Sequence, residues 1–373
     1  MGYPDTFEGF CVAGPKTWSD FKKQELTPKP FGPDDIDVQI EACGVCGSDV
    51  HTVTGGWGDY EGPLCVGHEM VGKAVRVGGN VKSIKEGDRV GVGAQVWSCL
   101  KCPQCKSANE NYCPHMVGKS QRPKYPKTYN SEYPEEAGGG QAHGGFASHV
   151  RCHQYFTFKI PDAISSADAG PLLCAGITTY SPLVRAGIGP GKKVAICGIG
   201  GLGHLGIQWS VALGAETYAF THSPHKVADI KKLGAKEAII TTDKDWAKNW
   251  AFAFDSVLVC SDMMHTFELK TYMSTLNVGG EFHLVGLPDE PLPEIMAFDF
   301  ATNAVKLTGS HIGNHQEMEA MFKLAAEKGV RPWVEKIDIS AKGCKEAVER
   351  VKENKVHYRF TLVGFGKEFG TEK

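Results

Sequence analysis

The sequence predicts an α/β protein of two lobes, one β-rich and one carrying a doubly wound parallel sheet. Three observations predict it. Up to about residue 160 the chain is made of short alternating apolar runs punctuated by glycine and proline, the pattern of half-buried strands. From about Ser165, strand-sized apolar runs alternate with helix-compatible stretches, and that alternation builds a parallel sheet flanked by helices. The length of 373 residues suits about two domains better than one. The expected division is residues 1–163, then 164–306, with 307–373 returning to the first lobe.

The elements follow in order. Asp37–Ala42 and Val71–Val77 alternate with a period of two, and Asp88–Val92 continues in the same style. Residues 119–145 are rich in Pro, Tyr and Gly without periodicity and read as an exposed excursion. In the second lobe, strands are expected at Lys193–Cys197, Glu216–Phe220, Glu237–Ile240, Ser256–Val259 and Glu281–Val285. Helices are expected over His204–Leu213 and Lys226–Leu233. A last strand, Tyr358–Val363, rejoins the first lobe.

Composition narrows the function. A net charge of −3 leaves no basic face for nucleic acid and no acidic tail. The longest apolar runs are strand-sized, too short for a membrane span. Asp5, Glu8, Lys16 and Asp20 open the chain with no apolar core, so no signal peptide is expected. Thirteen cysteines, with no Asn-x-Ser/Thr acceptor, fit a reducing cytoplasm in which singly scattered cysteines serve as small buried hydrophobes.

Cys99, Cys102, Cys105 and Cys113 read Cys-x2-Cys-x2-Cys-x7-Cys. Four thiolates this close in sequence can wrap one tetrahedral cation without help from the rest of the fold, which makes a structural zinc site. Two disulfides are the alternative, and they need an oxidising compartment to which nothing else points. Gly198-Ile199-Gly200-Gly201-Leu202-Gly203 stands between an expected strand and an expected helix. In that setting glycines tighten the turn and let the backbone approach a pyrophosphate at the helix N-terminus. The next strand ends in Thr221-His222-Ser223, with Lys226 beyond and no acid until Asp229. An NAD site usually places Asp or Glu at that tip for the ribose hydroxyls. A hydroxyl, an imidazole and an ammonium suit a 2′-phosphate instead, so the expected dinucleotide is NADP(H). The plainer alternative for Lys226 is a solvated helix lysine.

Cys43-Gly-Val-Cys46-Gly-Ser48-Asp49-Val-His51 and Gly67-His68-Glu69 add a second set of soft ligands. Further on stand Gly144–His149, Pro171-Leu-Leu-Cys174-Ala-Gly-Ile-Thr178 and a C-terminal Tyr-Arg-Phe. In this order, over essentially the whole chain, these motifs resemble the zinc-dependent medium-chain alcohol dehydrogenases, above all their cinnamyl alcohol dehydrogenase branch. The resemblance implies a β-rich GroES-like catalytic domain over 1–163, a Rossmann NADP-binding domain over 164–306 and a return to the catalytic domain over 307–373. It implies two zinc ions per chain. Cys46, His68 and Cys174 would hold the catalytic one, with Glu69 able to enter when water or substrate leaves. Such a donor set leaves a fourth position for an oxygen. Asp49 would orient His68 through the other ring nitrogen, and Cys43 and Cys65 are assigned to packing.

By the same resemblance Ser48 and His51 would form the proton path, and Thr178 would contact the nicotinamide. The family's pocket positions fall on Val53, Trp57, Trp97, His311 and Ile312. Two tryptophans offer a flat apolar wall for an aryl or long aliphatic aldehyde. His311 departs from the large apolar residue that phenylpropanoid specialists often carry, which favours a broad aldehyde reductase. The expectation is hydride transfer between NADP(H) and primary alcohols or aldehydes of aryl, allylic or longer aliphatic type, in a homodimer. A polyol dehydrogenase, which would typically lack the aromatic pocket, is one rival. A non-catalytic zinc- and NADPH-binding sensor is the other, and it would have no need of Ser48 and His51.

Overall fold

The computed structural model describes residues 6–60, 62–115, 128–262 and 267–371. The chain forms two compact units, one of Met1–Cys174, Asn314–Ala326 and Arg331–Lys373, the other of Ala175–Gly313 and Glu327–Val330.

The first unit opens with an antiparallel pair, β1 (Phe7–Cys11) and β2 (Lys22–Leu26). β3 (Asp35–Val45) follows and leads directly into the short helix α1 (Gly47–Val53). Next come β4 (Met70–Val77), β5 (Arg89–Val92), α2 (Pro103–Lys106), β6 (His149–His153), β7 (Thr157–Lys159) and α3 (Ser166–Pro171). β3 is the spine of this unit. Its Ile36, Val38 and Ile40 alternate into the core, as the strand period requires. Between them Asp37 is fully buried, and a buried carboxylate without a partner is strongly destabilising. Arg151, opposite it on β6, donates from Nε to Oδ1 at 2.7 Å and from Nη2 to Oδ2 at 3.0 Å. The bidentate fork fixes the β3–β6 register as well as neutralising the charge.

The second unit holds α4 (Ile177–Arg185), β8 (Lys193–Cys197), α5 (Gly203–Ala212), β9 (Glu216–Thr221), α6 (Val227–Lys232) and β10 (Glu237–Ile240). It continues through β11 (Phe254–Val259), α7 (Leu269–Met273), β12 (Leu276–Leu284), α8 (Ala297–Ala301) and β13 (Lys306–Gly309). The sheet order is β10-β9-β8-β11-β12-β13, and every neighbouring pair is parallel. This is the doubly wound Rossmann order, whose direction reverses between β8 and β11; ligands in such sheets bind beyond the strand ends at that reversal.

The return segment comprises α9 (His315–Lys328), β14 (Val334–Asp338), α10 (Ala341–Lys352), β15 (Arg359–Val363) and α11 (Phe365–Phe369). β15 pairs parallel with β14 and antiparallel with β3, so the end of the chain completes the first unit's sheet. Among the described residues no helix is long and apolar enough to cross a membrane.

Two expectations need correction. β12 starts at Leu276, five residues before the expected Glu281, and runs through Gly279-Gly280, which as sequence looks like a turn. A register irregularity between Phe254 and Ser256 of β11 accommodates the extra length. Residues 119–145 are not simply an exposed excursion. Residues 119–127 lie outside the described residues, but Thr128, Tyr129, Ser131, Tyr133 and Ala142 are all buried. Thr128 Oγ1 donates to Gly93 O at 2.7 Å and Tyr133 Oη to Arg151 O at 3.2 Å. Aperiodic sequence hides this, because burial here depends on hydrogen bonds to distant backbone rather than on a repeating face.

Candidate active site and metal centres

In the four-cysteine lobe, Cys102 caps the start of α2, its thiol accepting the Cys105 N–H at 3.5 Å. The Cys102 N–H in turn reaches the Cys99 sulfur at 3.4 Å. The sulfur–sulfur distances are 3.5 Å for Cys102–Cys105 and Cys113–Cys99, and 3.9 Å for Cys99–Cys105 and Cys102–Cys113. A tetrahedron with Zn–S bonds of about 2.3 Å has edges of about 3.8 Å. The four sulfurs therefore already stand as the corners that zinc requires. Burial raises the Cys99 thiol, but the Lys101 and Cys102 amides overcome it and leave it at about 6.

The second cluster gathers residues from distant parts of the chain. Cys46 lies at the junction of β3 and α1, His68 and Glu69 just before β4, and Cys174 on a π-helical turn, Leu172–Gly176, between α3 and α4. One donor atom from each of the four lies within 4.8 Å of the others, and all four side chains are buried. His68 Nε2 is 3.1 Å from Cys174 Sγ. The other ring nitrogen, Nδ1, faces Asp49 Oδ1 at 2.9 Å. Asp49 also accepts the Cys46 N–H at 2.9 Å and the Gly67 N–H at 3.1 Å. With Nδ1–H committed to Asp49, the Nε2 lone pair is directed into the cluster.

Glu69 is fully buried and paired with Arg359 of β15. Burial pushes its carboxyl up to about 7, with the guanidinium opposing the rise. Its second oxygen, Oε2, has no hydrogen-bond partner among the described residues. It occupies space that exists only because residue 44 is glycine; a Cβ there would overlap Oε2. Two thiols, an imidazole and a buried carboxylate oxygen left without a partner form a donor set that fits zinc. Cys43 and Cys65 are buried, and burial pushes both thiols well above their ordinary value.

Ser48 and His51 share one face of α1, three residues apart. Ser48 Oγ is 3.7 Å from Cys46 Sγ, and the His51 ring stacks on Trp57 at 4.9 Å and 6°. Val53 and Trp97 belong to the buried core of the first unit, at 0% and 7% exposure, whereas Trp57 is half-buried. Thr178, on α4, and His311 and Ile312 belong to the second unit. Ile312 has φ 41°, a left-handed conformation that is unusual for a β-branched side chain.

At the end of β8, Gly198 has φ 84°, and a Cβ on Gly203 would overlap the Gly198 carbonyl. Leu202 follows the turn and α5 begins at Gly203. A Cβ on Gly200 would meet nothing, so bareness there serves something other than the protein's own packing, and it leaves room for a phosphate at the helix start. Thr221 ends β9, its Oγ1 accepting the Ser223 N–H at 3.1 Å, and His222 beside it is exposed. Lys226 is not a solvated helix lysine. Its Nζ donates to the Ile199 carbonyl of the glycine loop at 2.7 Å, and burial lowers its ammonium against the pull of Asp229. The residues present fit a dinucleotide with a 2′-phosphate.

Sequence reasoning met Arg359 only within the C-terminal Tyr-Arg-Phe, without a role for it, and missed Tyr129, whose hydroxyl lies 3.2 Å from His68 Nδ1. Arg359 left a readable signal, a cation inside the apolar run Tyr358–Val363, since a buried charge demands a partner. Tyr129 left none.

Two family models match the chain, the alcohol dehydrogenase GroES-like domain over residues 32–162 and the zinc-binding dehydrogenase over residues 201–327. The NADP-dependent alcohol dehydrogenase 6 of Saccharomyces cerevisiae is 42% identical over 372 residues, covering 99% of each chain. Among solved structures, a cinnamyl alcohol dehydrogenase of Sorghum bicolor superposes with a TM-score of 0.87 at 30% identity, covering 96% of this chain and 97% of that one. CAD of Helicobacter pylori, solved in complex with NADP(H), superposes with a TM-score of 0.85 at 29% identity, covering 96% and 98%.

Proposed function

Because the chain belongs to the zinc-binding alcohol dehydrogenases with a GroES-like domain, we propose that Cys46, His68 and Cys174 hold the catalytic zinc of an NADP(H)-dependent alcohol dehydrogenase and aldehyde reductase. The observation that carries this reading is the convergence of two thiols and an imidazole, from three separate stretches, with donor atoms within 4.8 Å of one another and of Glu69. The four-cysteine lobe holds a second, structural zinc.

When bound, zinc supplies a Lewis acid that polarises a carbonyl oxygen, and NADPH supplies the hydride. The chain's own residues do the rest. Asp49 keeps His68 in the tautomer that offers Nε2. Arg359 holds the Glu69 carboxylate in reserve. In reduction Ser48 passes a proton to the product oxygen and is resupplied from water through His51, one turn further along α1. The amides of Gly198–Gly203 receive the pyrophosphate, Thr221, His222 and Lys226 the 2′-phosphate, and Thr178 the nicotinamide. We assign Val53, Trp57, Trp97, His311 and Ile312 to substrate selection, with aryl, allylic and longer aliphatic aldehydes as the class. We place the enzyme in a reducing cytoplasm, where the cysteine thiols and thiolates it would use for metal and packing stay available, and take its working unit to be a homodimer.

Zinc content and NADPH consumption test the reading together. Two zinc ions per chain and turnover of cinnamaldehyde, faster with NADPH than with NADH, are expected. One zinc per chain with no turnover on any aldehyde would overturn it.

A further inference from the structure

We propose that Tyr129 is a positioning residue of the catalytic metal site, its hydroxyl fixing the Asp49 carboxylate that orients His68 and so setting how firmly the metal is held. The proposal rests on the zinc reading above and adds a residue to it.

Tyr129 is 3% exposed, as deep as the ligands themselves. It is brought there by Thr128, whose N–H and Oγ1 donate to Ala94 O and Gly93 O at 3.2 Å and 2.7 Å, just beyond β5. The segment then doubles back through Tyr133 N–H to Gly140 O at 2.8 Å and Ala142 N–H to Ser131 O at 2.9 Å. It is a strap fastened at both ends, and it delivers one polar group to the cluster.

The donor count assigns that group its task. Tyr129 Oη lies 3.2 Å from His68 Nδ1, and the Asp49 carboxylate and the Thr52 hydroxyl are both within its hydrogen-bonding reach. With Nε2 given to the metal, His68 has a single N–H, on Nδ1, and the nearer acceptor is Asp49 Oδ1 at 2.9 Å. His68 then offers Tyr129 no lone pair; of the two acceptors left, the Asp49 carboxylate draws the phenol O–H more strongly than the neutral Thr52 hydroxyl, whose own proton goes to Ser48 O at 2.8 Å. Asp49 gathers the Gly67 and Cys46 amides, the His68 ring and the phenol around a carboxylate with 0% exposure. Two of the ligand residues, Cys46 through its backbone and His68 through its ring, are tied to that one carboxylate. Outer partners of this kind typically change metal affinity by about 10–100-fold.

Tyr129→Phe keeps the ring, which sits 5.7 Å from the His68 ring at 55°, and removes only the hydroxyl. The experiment follows release of both zinc ions from the holoenzyme to an excess of a colorimetric chelator, alongside the visible spectrum of the cobalt-loaded protein. The four-cysteine zinc is the internal gauge of the fold. We expect the catalytic zinc to leave about tenfold faster, the structural zinc at the wild-type rate, and the cobalt bands to shift. In the Asp49→Asn background, adding Tyr129→Phe should change release no further. Equal acceleration at both sites, no acceleration at either, or full additivity with Asp49→Asn would each overturn the proposal. A wild-type protein holding one zinc would instead sink the zinc reading before any variant is measured.

Discussion

Glu69 and Arg359 are each almost wholly buried, and a charge removed from water without a partner costs several kcal/mol. Their pairing joins the residue before β4 to the first residue of β15, so one cation serves both the sheet and the metal cluster. Arg359→Met should therefore destabilise the protein by about 3 kcal/mol, measured as a lower urea midpoint, with part of the loss recovered in combination with Glu69→Gln. A cost no larger than that of a surface substitution would refute the burial of the pair. At the cofactor end, Thr221→Asp places the missing acid at the tip of β9, where it repels a 2′-phosphate and can accept from ribose hydroxyls. The ratio of NADPH to NADH dissociation constants should move toward NADH by at least about tenfold, roughly 1.4 kcal/mol. An unchanged ratio would mean that Thr221 faces away from the phosphate. The candidate residues legible in the sequence were those whose chemistry is local: a thiol spacing, a glycine turn, an absent acid. Arg359 and Tyr129 act across 290 and 61 positions of chain; the cation in an apolar run marks Arg359 as needing a partner without naming Glu69, and nothing local marks Tyr129.

At the scale of elements, β6 carries a titration that the fold imposes. The His149 ring stacks on Phe7 at 5.1 Å, and burial drives its imidazole down to about 4. An unfolded histidine takes up its proton near pH 6.5. Between about pH 6.5 and about 4 the unfolded chain therefore binds more protons, and stability falls as the pH drops. The contribution is complete above about pH 6.5 and lost as the pH falls through about 4; discounted for partial exposure, it amounts to about 2 kcal/mol. His149→Leu should flatten this part of the acid limb when urea midpoints are compared at pH 7 and pH 4.5. Parallel declines in the two proteins would remove the assignment. Most strands were readable because alternation and burial coincide, as in β3. The start of β12 was not, because Gly279-Gly280 resembles a turn until β11 lies beside it. The strap after Thr128 was not, because its burial is bought by backbone partners such as Gly93 and Arg151 that periodicity cannot reveal.

For the whole molecule, the two metal sites differ in what they ask of the fold. Cys105→Ser removes a corner from a lobe that zinc itself organises, so it should lower the melting temperature and the yield. Cys174→Ser should leave the fold standing while zinc content drops from two to one and turnover nearly vanishes. If the two variants behaved alike, the division into structural and catalytic sites would fail. The difference also has a history in the making of the chain. The four cysteines span only Cys99 to Cys113, so a nascent polypeptide can capture its first zinc as soon as that short stretch emerges. The other set must wait for Cys174, and the countercharge to Glu69 arrives only with Arg359 of β15. Until β15 docks against β3, the Glu69 carboxylate has to stay wet. A dry carboxylate beside the metal ligands therefore depends on the return segment: without β15 the four donors have no countercharge for Glu69.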